Sequence, residues 1–128
     1  MDLDHFKDVN DTHGHIAGDE VLQSVVAIAA KRLRSYDSVF RYGGEEFLFC
    51  LPDVTVDDAV AAMERIRQDI EVAAIRLKNG QEVHITASFG VAALSEVLSQ
   101  EECVEQADRA LLCAKACGRN QVSRMEPA

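Results

Sequence analysis

The sequence predicts an α+β domain in which a mainly antiparallel sheet is flanked by helices. Three segments carry apolar residues at helical spacing, and two others pair short strand-like runs across glycine-containing turns. They follow one another as helix, hairpin, helix, hairpin, helix and strand, which favours helices packed on one or both faces of such a sheet. The length of 128 residues corresponds to one domain that can bury a core without disulfides.

The first element is a partial strand in residues 1–7, MDLDHFK, which has the features of a strand end without its beginning. We place Lys7 and Asn10 in the turn region that follows. A helix is predicted over residues 19–34, since its apolar residues recur every three or four positions. They are Val21, Leu22, Val25, Ile28, Ala29 and Leu33.

A β-hairpin is predicted next, with strands at residues 39–42 and 46–51 on either side of Gly43 and Gly44. We expect these glycines to supply unusual backbone dihedrals and to let the backbone approach a ligand closely. Thr55, with Asp58 three residues later, then predicts the start of a second helix that ends near residue 72 or 74.

A second hairpin is predicted in residues 76–92, where Asn79 and Gly80 form the turn and residues 83–91 alternate between apolar and other side chains. Ser99 and Glu102 have the spacing of a capping box and predict a third helix, which Gly118 ends. Residues 121–123 form a candidate last strand, and the final four or five residues are expected to be frayed.

Composition excludes several classes of protein. No apolar run approaches the roughly 20 residues of a membrane span, and residues 1–7 lack the pattern of a signal peptide. We therefore expect a cytoplasmic protein without direct membrane insertion. A net charge of -9 argues against a broad nucleic-acid surface, but permits one nucleotide to bind with a divalent cation.

The cysteines and histidines give weak metal signals. The four cysteines lie among apolar neighbours without a CxxC pair, so we predict reduced core thiols at Cys50, Cys103, Cys113 and Cys117. The histidines at positions 5, 13 and 15 fit no zinc spacing and are expected at the surface or at helix caps.

Two acidic pairs are the strongest chemical signal. Asp2 and Asp4 follow the strand end, and Glu45 and Glu46 follow the two glycines of the first hairpin. Like charges repel unless a cation lies between them, and hard cations such as Mg²⁺ prefer oxygen ligands. A tight turn with solvated glutamates is the alternative, and on this stretch alone it is the commoner case.

Other interpretations of the polar residues are weaker. Residues 8–19 fail as an EF-hand, because His13 stands where glycine is required and Asp19 where glutamate is expected. Asp2-x-Asp4 also occurs as a metal motif in sugar-nucleotide transferases, with low specificity. Lys115 and Arg119, four residues apart, are predicted on one helical face, either to complement the helix end or to neutralise phosphates.

Four stretches in order resemble the GGDEF family of diguanylate cyclases, in its GGEEF variant. They are DLDHFKDVNDTHGHIAGDEVL, RYGGEEF, HITASFGVA and ADRALLCAKACGRN, and they cover nearly the whole chain. The resemblance implies a ferredoxin-like palm similar to the catalytic domains of nucleotidyl cyclases. It also implies condensation of two GTP molecules into cyclic di-GMP, with release of pyrophosphate, at the interface of two such domains.

The resemblance further implies roles for individual residues. Asp2, Glu45 and the carbonyl of Leu3 would bind Mg²⁺ or Mn²⁺, and Glu46 would support that site. The GTP site would use the backbone amides of His5 and Phe6 and the close backbone approach that Gly43 and Gly44 allow. The side chains assigned to it are those of Lys7, Asn10, His15, Asp19, Lys115 and Arg119. Within that set the guanine is assigned to Asn10 and Asp19, and the ribose region to His15.

An inhibitory product site is implied at Arg34 and Asp37, which form the family's RxxD motif, with Arg65 as a secondary contact. A binding module for cyclic di-GMP or GTP without catalysis is the alternative function. The resemblance begins only at residue 2, so we interpret residues 1–128 as an N-terminally truncated domain that lacks its first helix and most of its first strand. We therefore expect exposed apolar surface, a frayed Asp2, and an upstream sensory or regulatory domain in the parent protein.

Overall fold

The computed structural model describes residues 1–125 and contains four helices and seven strands within that range. In chain order these are β1 (Asp2–Leu3), α1 (Phe6–His13), α2 (His15–Ala30), β2 (Ser38–Arg41), β3 (Phe47–Cys50), α3 (Val56–Val72), β4 (Ile75–Arg76), β5 (Glu82–Val83), β6 (Ala87–Val91), α4 (Gln100–Ala116) and β7 (Val122–Arg124). The predicted fraying of the C-terminus concerns mainly residues 126–128, which lie outside the described residues.

The short strand β1 lies at the centre of the strand array. It pairs antiparallel with β6, with Asp2 opposite Ser88, and a bridge between Asp2 and Glu46 joins it to the β2–β3 hairpin. Strand β7 continues the array on the other side of β6 and runs parallel to it. The predicted α+β class with mainly antiparallel pairing is confirmed, and β6–β7 is the parallel exception.

Helices cover both faces of this array, and β6 shows why. Its alternate residues Ala87, Phe89 and Val91 belong to the core that α2 and α3 share. Since side chains alternate along a strand, Gly90 points to the opposite face, where an added Cβ would lie 2.1 Å from the carbonyl oxygen of Ala107. Helix α4 therefore packs almost directly on the backbone of β6.

The second and third predicted helices begin where their capping signals indicate. The hydroxyl of Thr55 accepts a hydrogen bond from the amide of Asp58 at the start of α3. At the start of α4, Ser99 and Glu102 form both hydrogen bonds of a capping box. These boundaries were predictable because the signals are local.

The first helical region differs from the prediction. Helix α1 occupies residues that we assigned to a turn, so Lys7 and Asn10 are helical, and α2 begins at His15 rather than at Asp19. The N-cap of α1 is His5, whose side chain makes no capping hydrogen bond. A helix of eight residues without a capping signal leaves little trace in the sequence.

The second hairpin is shorter than predicted. Strands β4 and β5 pair across the turn at Asn79 and Gly80, but the chain leaves strand geometry between Val83 and Ala87 before β6 begins. The alternating apolar residues of 83–91 are nevertheless all buried, as the pattern predicted.

The cysteine prediction is correct in oxidation state and mostly wrong in burial. All four thiols are free, but only Cys103 is buried, and Cys50, Cys113 and Cys117 are exposed. Cys113 and Cys117 lie near the C-terminal end of α4, away from its packed face, which an apolar sequence neighbourhood did not reveal. Within residues 1–125, no helix combines the length and the apolar character that crossing a bilayer requires.

Candidate functional site

A cavity of about 330 Å³ lies between α1, α2 and the tip of the β2–β3 hairpin. Most of its lining residues were predicted to bind nucleotide or metal, although they come from two separate stretches of sequence. The lining consists of Phe6, Lys7, Asn10, His15, Asp19, Leu22, Arg41, Gly44 and Glu45. The fold thus brings two cationic side chains, one amide and two carboxylates from distant positions into a single concave surface.

Asn10 is held in this cavity by the close approach of α1 and α2. A Cβ at Gly18 would lie 1.9 Å from the side-chain oxygen of Asn10 and 3.1 Å from the ring of Phe6. Glycine at position 18 therefore provides the space that the amide of Asn10 occupies. Asp19, the next residue of α2, is exposed to the cavity and leaves its carboxylate available to a ligand.

The hairpin tip has an unexpected backbone. The amides of Tyr42 and Gly43 both donate to the carbonyl of Glu46, which closes the turn. Neither glycine adopts a positive φ, so the prediction of unusual dihedrals is wrong. A Cβ at Gly44 would meet no atom within 4 Å, so nothing within the described chain requires glycine there. The open space favours the other predicted reason, a close approach by a ligand.

Sequence reasoning missed Arg41, which lies in the cavity wall. Its guanidinium donates to the carbonyls of Gly43 and Gly44, at 3.3 and 2.8 Å. Arg41 thereby holds the hairpin tip in place and adds positive charge to the cavity. The sequence signal that could have identified Arg41 was its position as the first residue of the RYGGEEF stretch.

Asp2 is ordered and buried rather than frayed, which corrects the expectation for this residue. It lies in β1 with 4% of its surface exposed, and the amide of Leu3 donates to the carbonyl of Glu45 at 3.2 Å. The side-chain ammonium of Lys115 forms an ion pair with the carboxylate of Asp2. A cation therefore already balances the charge of this buried carboxylate.

The donor set at this point suits a hard divalent cation. Asp2, Glu45 and the carbonyl of Leu3 offer oxygen ligands only, and β1 lies directly beside the segment that carries Glu45. The side chain of Glu46 instead folds towards Gly43. Among residues 1–125, no three carboxylate, imidazole or thiol side chains converge into a complete metal cage. Magnesium needs no such cage, since it commonly keeps water and substrate phosphates as ligands.

Lys115 and Arg119 do not share a helical face, contrary to the prediction. Helix α4 ends at Ala116, and the chain then passes through three consecutive residues with positive φ: Gly118 at 111°, Arg119 at 63° and Asn120 at 48°. His5, before α1, is also left-handed with a φ of 55°. Two residues predicted at the phosphates therefore occupy costly backbone conformations, which concentrate at functional sites.

Asp4 does not act with Asp2 as a metal pair. Asp4 is 5% exposed, and its carboxylate accepts hydrogen bonds from Thr86, Ser88 and the amide of Asn120. These three contacts direct it into the protein, which argues against the Asp2-x-Asp4 motif of sugar-nucleotide transferases. The EF-hand interpretation of residues 8–19 is excluded as well, because the segment is mostly helical.

Arg34 and Asp37 lie together outside this cavity. The guanidinium of Arg34 donates to both oxygens of Asp37 at 2.8 and 3.1 Å, and its amide donates to the same carboxylate at 2.7 Å. These hydrogen bonds hold the pKa of Asp37 below its ordinary value. The ring of Tyr36 lies 4.4 Å from the Arg34 guanidinium. Arg65 is exposed on α3, where its guanidinium donates to the carbonyl of Ala61 in its own helix.

Comparison with known proteins agrees with the predicted resemblance. The family model described as "Diguanylate cyclase, GGDEF domain" matches residues 1–121. Diguanylate cyclase A of Treponema denticola is 41% identical over 124 residues, which are 96% of this chain and 33% of the relative. The chain thus spans about a third of the length of that relative.

Solved structures show the same fold. The GGDEF domain of DgcB from Caulobacter crescentus, in complex with c-di-GMP, has a TM-score of 0.92 and 33% identity, covering 98% of this chain and 75% of that one. Diguanylate cyclase SiaD from Pseudomonas aeruginosa, in complex with its activator SiaC, has a TM-score of 0.90 and 40% identity, covering 96% and 47%. With a family model matched over residues 1–121 and this shared fold, the chain belongs to the GGDEF domain family of diguanylate cyclases.

Proposed function

We propose that this domain is a diguanylate cyclase, which condenses two GTP molecules into cyclic di-GMP and releases two pyrophosphates. The observation that carries the proposal is the cavity of about 330 Å³, because it joins guanine-reading, phosphate-binding and metal-binding residue types in one place. The intact Asn10, Asp19, Lys7 and Glu45 favour turnover over a degenerate binding site.

Guanine is the base that this cavity suits. The carboxylate of Asp19 accepts hydrogen bonds from the N1–H and the 2-amino group of guanine, an edge that adenine lacks. The amide of Asn10 both donates and accepts, so it complements the remaining polar atoms of the base. His15, at the start of α2, lies on the same wall and is assigned to the ribose region.

The triphosphate extends from the base towards the β1–α1 turn and the end of α4. Amides of His5 and Phe6, with the side chains of Lys7, Lys115 and Arg119, hold the β- and γ-phosphates in this assignment. Lys115 then leaves Asp2 as the nucleotide arrives with its cation, so the ion pair with Asp2 belongs to the ligand-free state. The open space at Gly44 accommodates the approaching ligand.

Asp2, Glu45 and the carbonyl of Leu3 would bind Mg²⁺ or Mn²⁺, supported by Glu46, since their oxygen donors suit either ion. A divalent cation at such a site lowers the pKa of a bound hydroxyl and offsets negative charge on phosphoryl oxygens. The protein's own part is to fix the triphosphate against β1 so that its α-phosphorus faces a second nucleotide.

Two domains are needed for the product ring. Each domain holds one GTP, and the 3′-hydroxyl of each nucleotide attacks the α-phosphorus of the other. Each attack forms a bond between the 3′-oxygen and phosphorus, breaks the α–β phosphoanhydride, expels pyrophosphate and releases the hydroxyl proton. A symmetric pair of domains with facing cavities meets this requirement.

We also assign product inhibition to Arg34 and Asp37. The guanidinium can hold a phosphate and a guanine edge together, and the carboxylate can accept from guanine. Their existing pairing fixes both side chains before ligand binding, which lowers the entropic cost of binding. Arg65 is the secondary contact of this site. We further propose that a sensory or regulatory segment of the parent protein, or a separate activator as in SiaD, controls the activity of this domain.

Incubation of the chain with GTP and Mg²⁺, followed by chromatographic detection of cyclic di-GMP and pyrophosphate, tests the function. We expect both products in a 1:2 ratio from wild type and none from Glu45→Gln. ATP in place of GTP is the specificity control and should give no product. GTP binding without product in the wild-type chain would instead favour a module that binds GTP or cyclic di-GMP without catalysis.

A further inference from the structure

Two separate segments hold the triphosphate in the proposed function, and both have left-handed backbone. The β1–α1 turn contains His5, and the turn between α4 and β7 contains Arg119 and Asn120. This conformation is uncommon for residues other than glycine, although asparagine and histidine adopt it more often than most, and surrounding contacts hold such residues in place. A contact that fixes both turns at once would also fix the distance between their phosphate-binding groups.

The buried carboxylate of Asp4 is such a contact. Asp4 directly precedes His5, and its amide donates to the carbonyl of Thr86 at 2.9 Å. Its two side-chain oxygens accept from the hydroxyls of Thr86 and Ser88, each at 2.7 Å, and from the amide of Asn120 at 3.0 Å. That last hydrogen bond joins residues 116 positions apart in the sequence.

Asn120 is held from the other side as well. Its side-chain oxygen accepts from Arg67 at 2.8 Å, and its side-chain nitrogen donates to Glu71 at 2.7 Å. Helix α3 thereby supports the turn that carries Arg119, while Asp4 ties the same turn to β1 and β6. Both left-handed segments therefore belong to one hydrogen-bonded network with Asp4 between them.

We propose that Asp4 is a positioning residue for the triphosphate. Its carboxylate sets the placement of Arg119 relative to the amides of His5 and Phe6, and it contacts neither substrate nor cation. This inference rests on the proposed function, since it assumes that a guanosine triphosphate occupies the cavity. It also explains why Asp4 is 5% exposed and why three donors bind its carboxylate, which is not presented to the ligand.

The test compares binding of guanosine 5′-(β,γ-imido)triphosphate and of GMP, both with Mg²⁺, by calorimetry. The dissociation constant of GMP divided by that of the triphosphate analogue measures how much the β- and γ-phosphates contribute to affinity. In Asp4→Asn, we expect the GMP constant to stay within about twofold of wild type and the ratio to fall at least about tenfold. A purely structural role would weaken both ligands together. Asp8→Asn, on the exposed side of α1, is the control and should leave the ratio unchanged.

An Asp4→Asn protein that binds GMP normally and keeps the wild-type ratio overturns the inference, as does equal weakening of both ligands in a folded protein. If Asp4→Asn does not fold, Ser88→Ala decides, because it removes one donor to Asp4 and one acceptor for Asn120. We expect Ser88→Ala to lower the ratio about threefold, and an unchanged ratio would count against the role. Failure of the proposed function is distinguishable, since wild type itself would then show no preference for the triphosphate.

Discussion

At Gly44, substitution by alanine should affect ligand binding without destabilising the fold. Because a Cβ there meets no atom within 4 Å and φ is not positive, Gly44→Ala should leave the free energy of unfolding unchanged or raise it by up to about 1 kcal/mol. The added methyl group occupies the space proposed for the nucleotide, so affinity for a GTP analogue should fall at least about tenfold, or about 1.4 kcal/mol. Urea denaturation and calorimetry measure the two quantities.

Gly80→Ala is the matched control for Gly44→Ala. Gly80 has a φ of 88° in the β4–β5 turn, where alanine is strained, and it lies outside the cavity. This variant should lose about 1–2 kcal/mol of stability and keep its affinity for the analogue. Normal analogue binding by Gly44→Ala would remove the argument that a ligand approaches this glycine.

Removing Lys115 alone from its ion pair with Asp2 should cost more stability than breaking a surface pair. Only 6% of the Asp2 side chain is exposed, so Lys115→Met leaves a buried carboxylate without its counter-charge. We expect a loss of about 1–3 kcal/mol in the free energy of unfolding, and recovery of most of it in the double variant Asp2→Asn/Lys115→Met. Urea denaturation of wild type, Asp2→Asn, Lys115→Met and the double variant in the absence of nucleotide measures this cycle.

Arg109→Met is the control for that cycle, because Arg109 pairs with Glu105 where both side chains are 64% exposed. Its effect should stay within about 0.5 kcal/mol. Equal effects of Lys115→Met and Arg109→Met would show that Lys115 does not compensate a buried charge.

The Arg34–Asp37 pair predicts a pH dependence of stability. Hydrogen bonds from Arg34 lower the pKa of Asp37 in the folded state, so ionisation of Asp37 favours folding. This contribution is complete above the unfolded pKa of about 3.9 and disappears as the pH falls through the lower folded value. The stability difference between wild type and Asp37→Asn should therefore be constant from pH 8 to about 5 and shrink below about 4.

Urea denaturation at several pH values measures that difference, and Asp11→Asn, at an exposed position of α1, controls for the loss of one charge. A difference between wild type and Asp37→Asn that grows as the pH falls would contradict the sign of the shift.

At the scale of elements, the packing of α4 on β6 depends on Gly90. A Cβ there would lie 2.1 Å from the carbonyl oxygen of Ala107 and 2.3 Å from the amide nitrogen of Leu111. Both are backbone atoms, so the helix as a whole must move. We expect Gly90→Ala to cost about 1–3 kcal/mol in the free energy of unfolding, measured by urea denaturation. Leu112→Ala, on the exposed face of α4, should change it by less than about 0.5 kcal/mol.

The elements that sequence predicted well are those whose signals are local. Helices α3 and α4 begin at capping residues whose partners lie three positions away, and the β2–β3 hairpin surrounds its glycines as expected. Helix α1 was missed because its apolar residues are few and its stability comes from packing against α2. The left-handed turn after Ala116 was missed because Arg119 carries no signal for it and the preference of asparagine for this conformation is weak. The network around Asp4 holds the turn.

The candidate site was predictable only in part, because its residues meet through long-range packing that leaves no local signal in the sequence. Residue spacing alone left the paired glutamates as either a solvated turn or a metal site, and the family resemblance favoured the second. Asn10, Asp19 and Glu45 meet because β1 brings the hairpin beside α1, which no periodicity in the sequence expresses. Arg41 was overlooked since its role depends on contacts with the carbonyls of the turn.

At the scale of the whole molecule, the proposed requirement for two domains gives a quantitative prediction. A double variant, Asn10→Ala/Asp19→Ala, should retain the fold and the surface through which domains meet, but lose GTP. When it replaces half of the wild-type protein at constant total concentration, only pairs of two wild-type chains hold both nucleotides. The rate of cyclic di-GMP formation should then fall to about a quarter, because random pairing makes it proportional to the square of the wild-type fraction.

Phosphate-release assays with added pyrophosphatase measure that rate across several mixing ratios. Replacement of the same fraction by an unrelated protein is the control for dilution. This replacement lowers the rate more than in proportion only if the pairs dissociate at the concentration used. At concentrations where pairs persist, one domain that handled both nucleotides would give a rate proportional to the wild-type fraction itself, about half at an equal mixture. A linear dependence under those conditions would rule out the facing-cavity arrangement while leaving GTP binding by each domain intact.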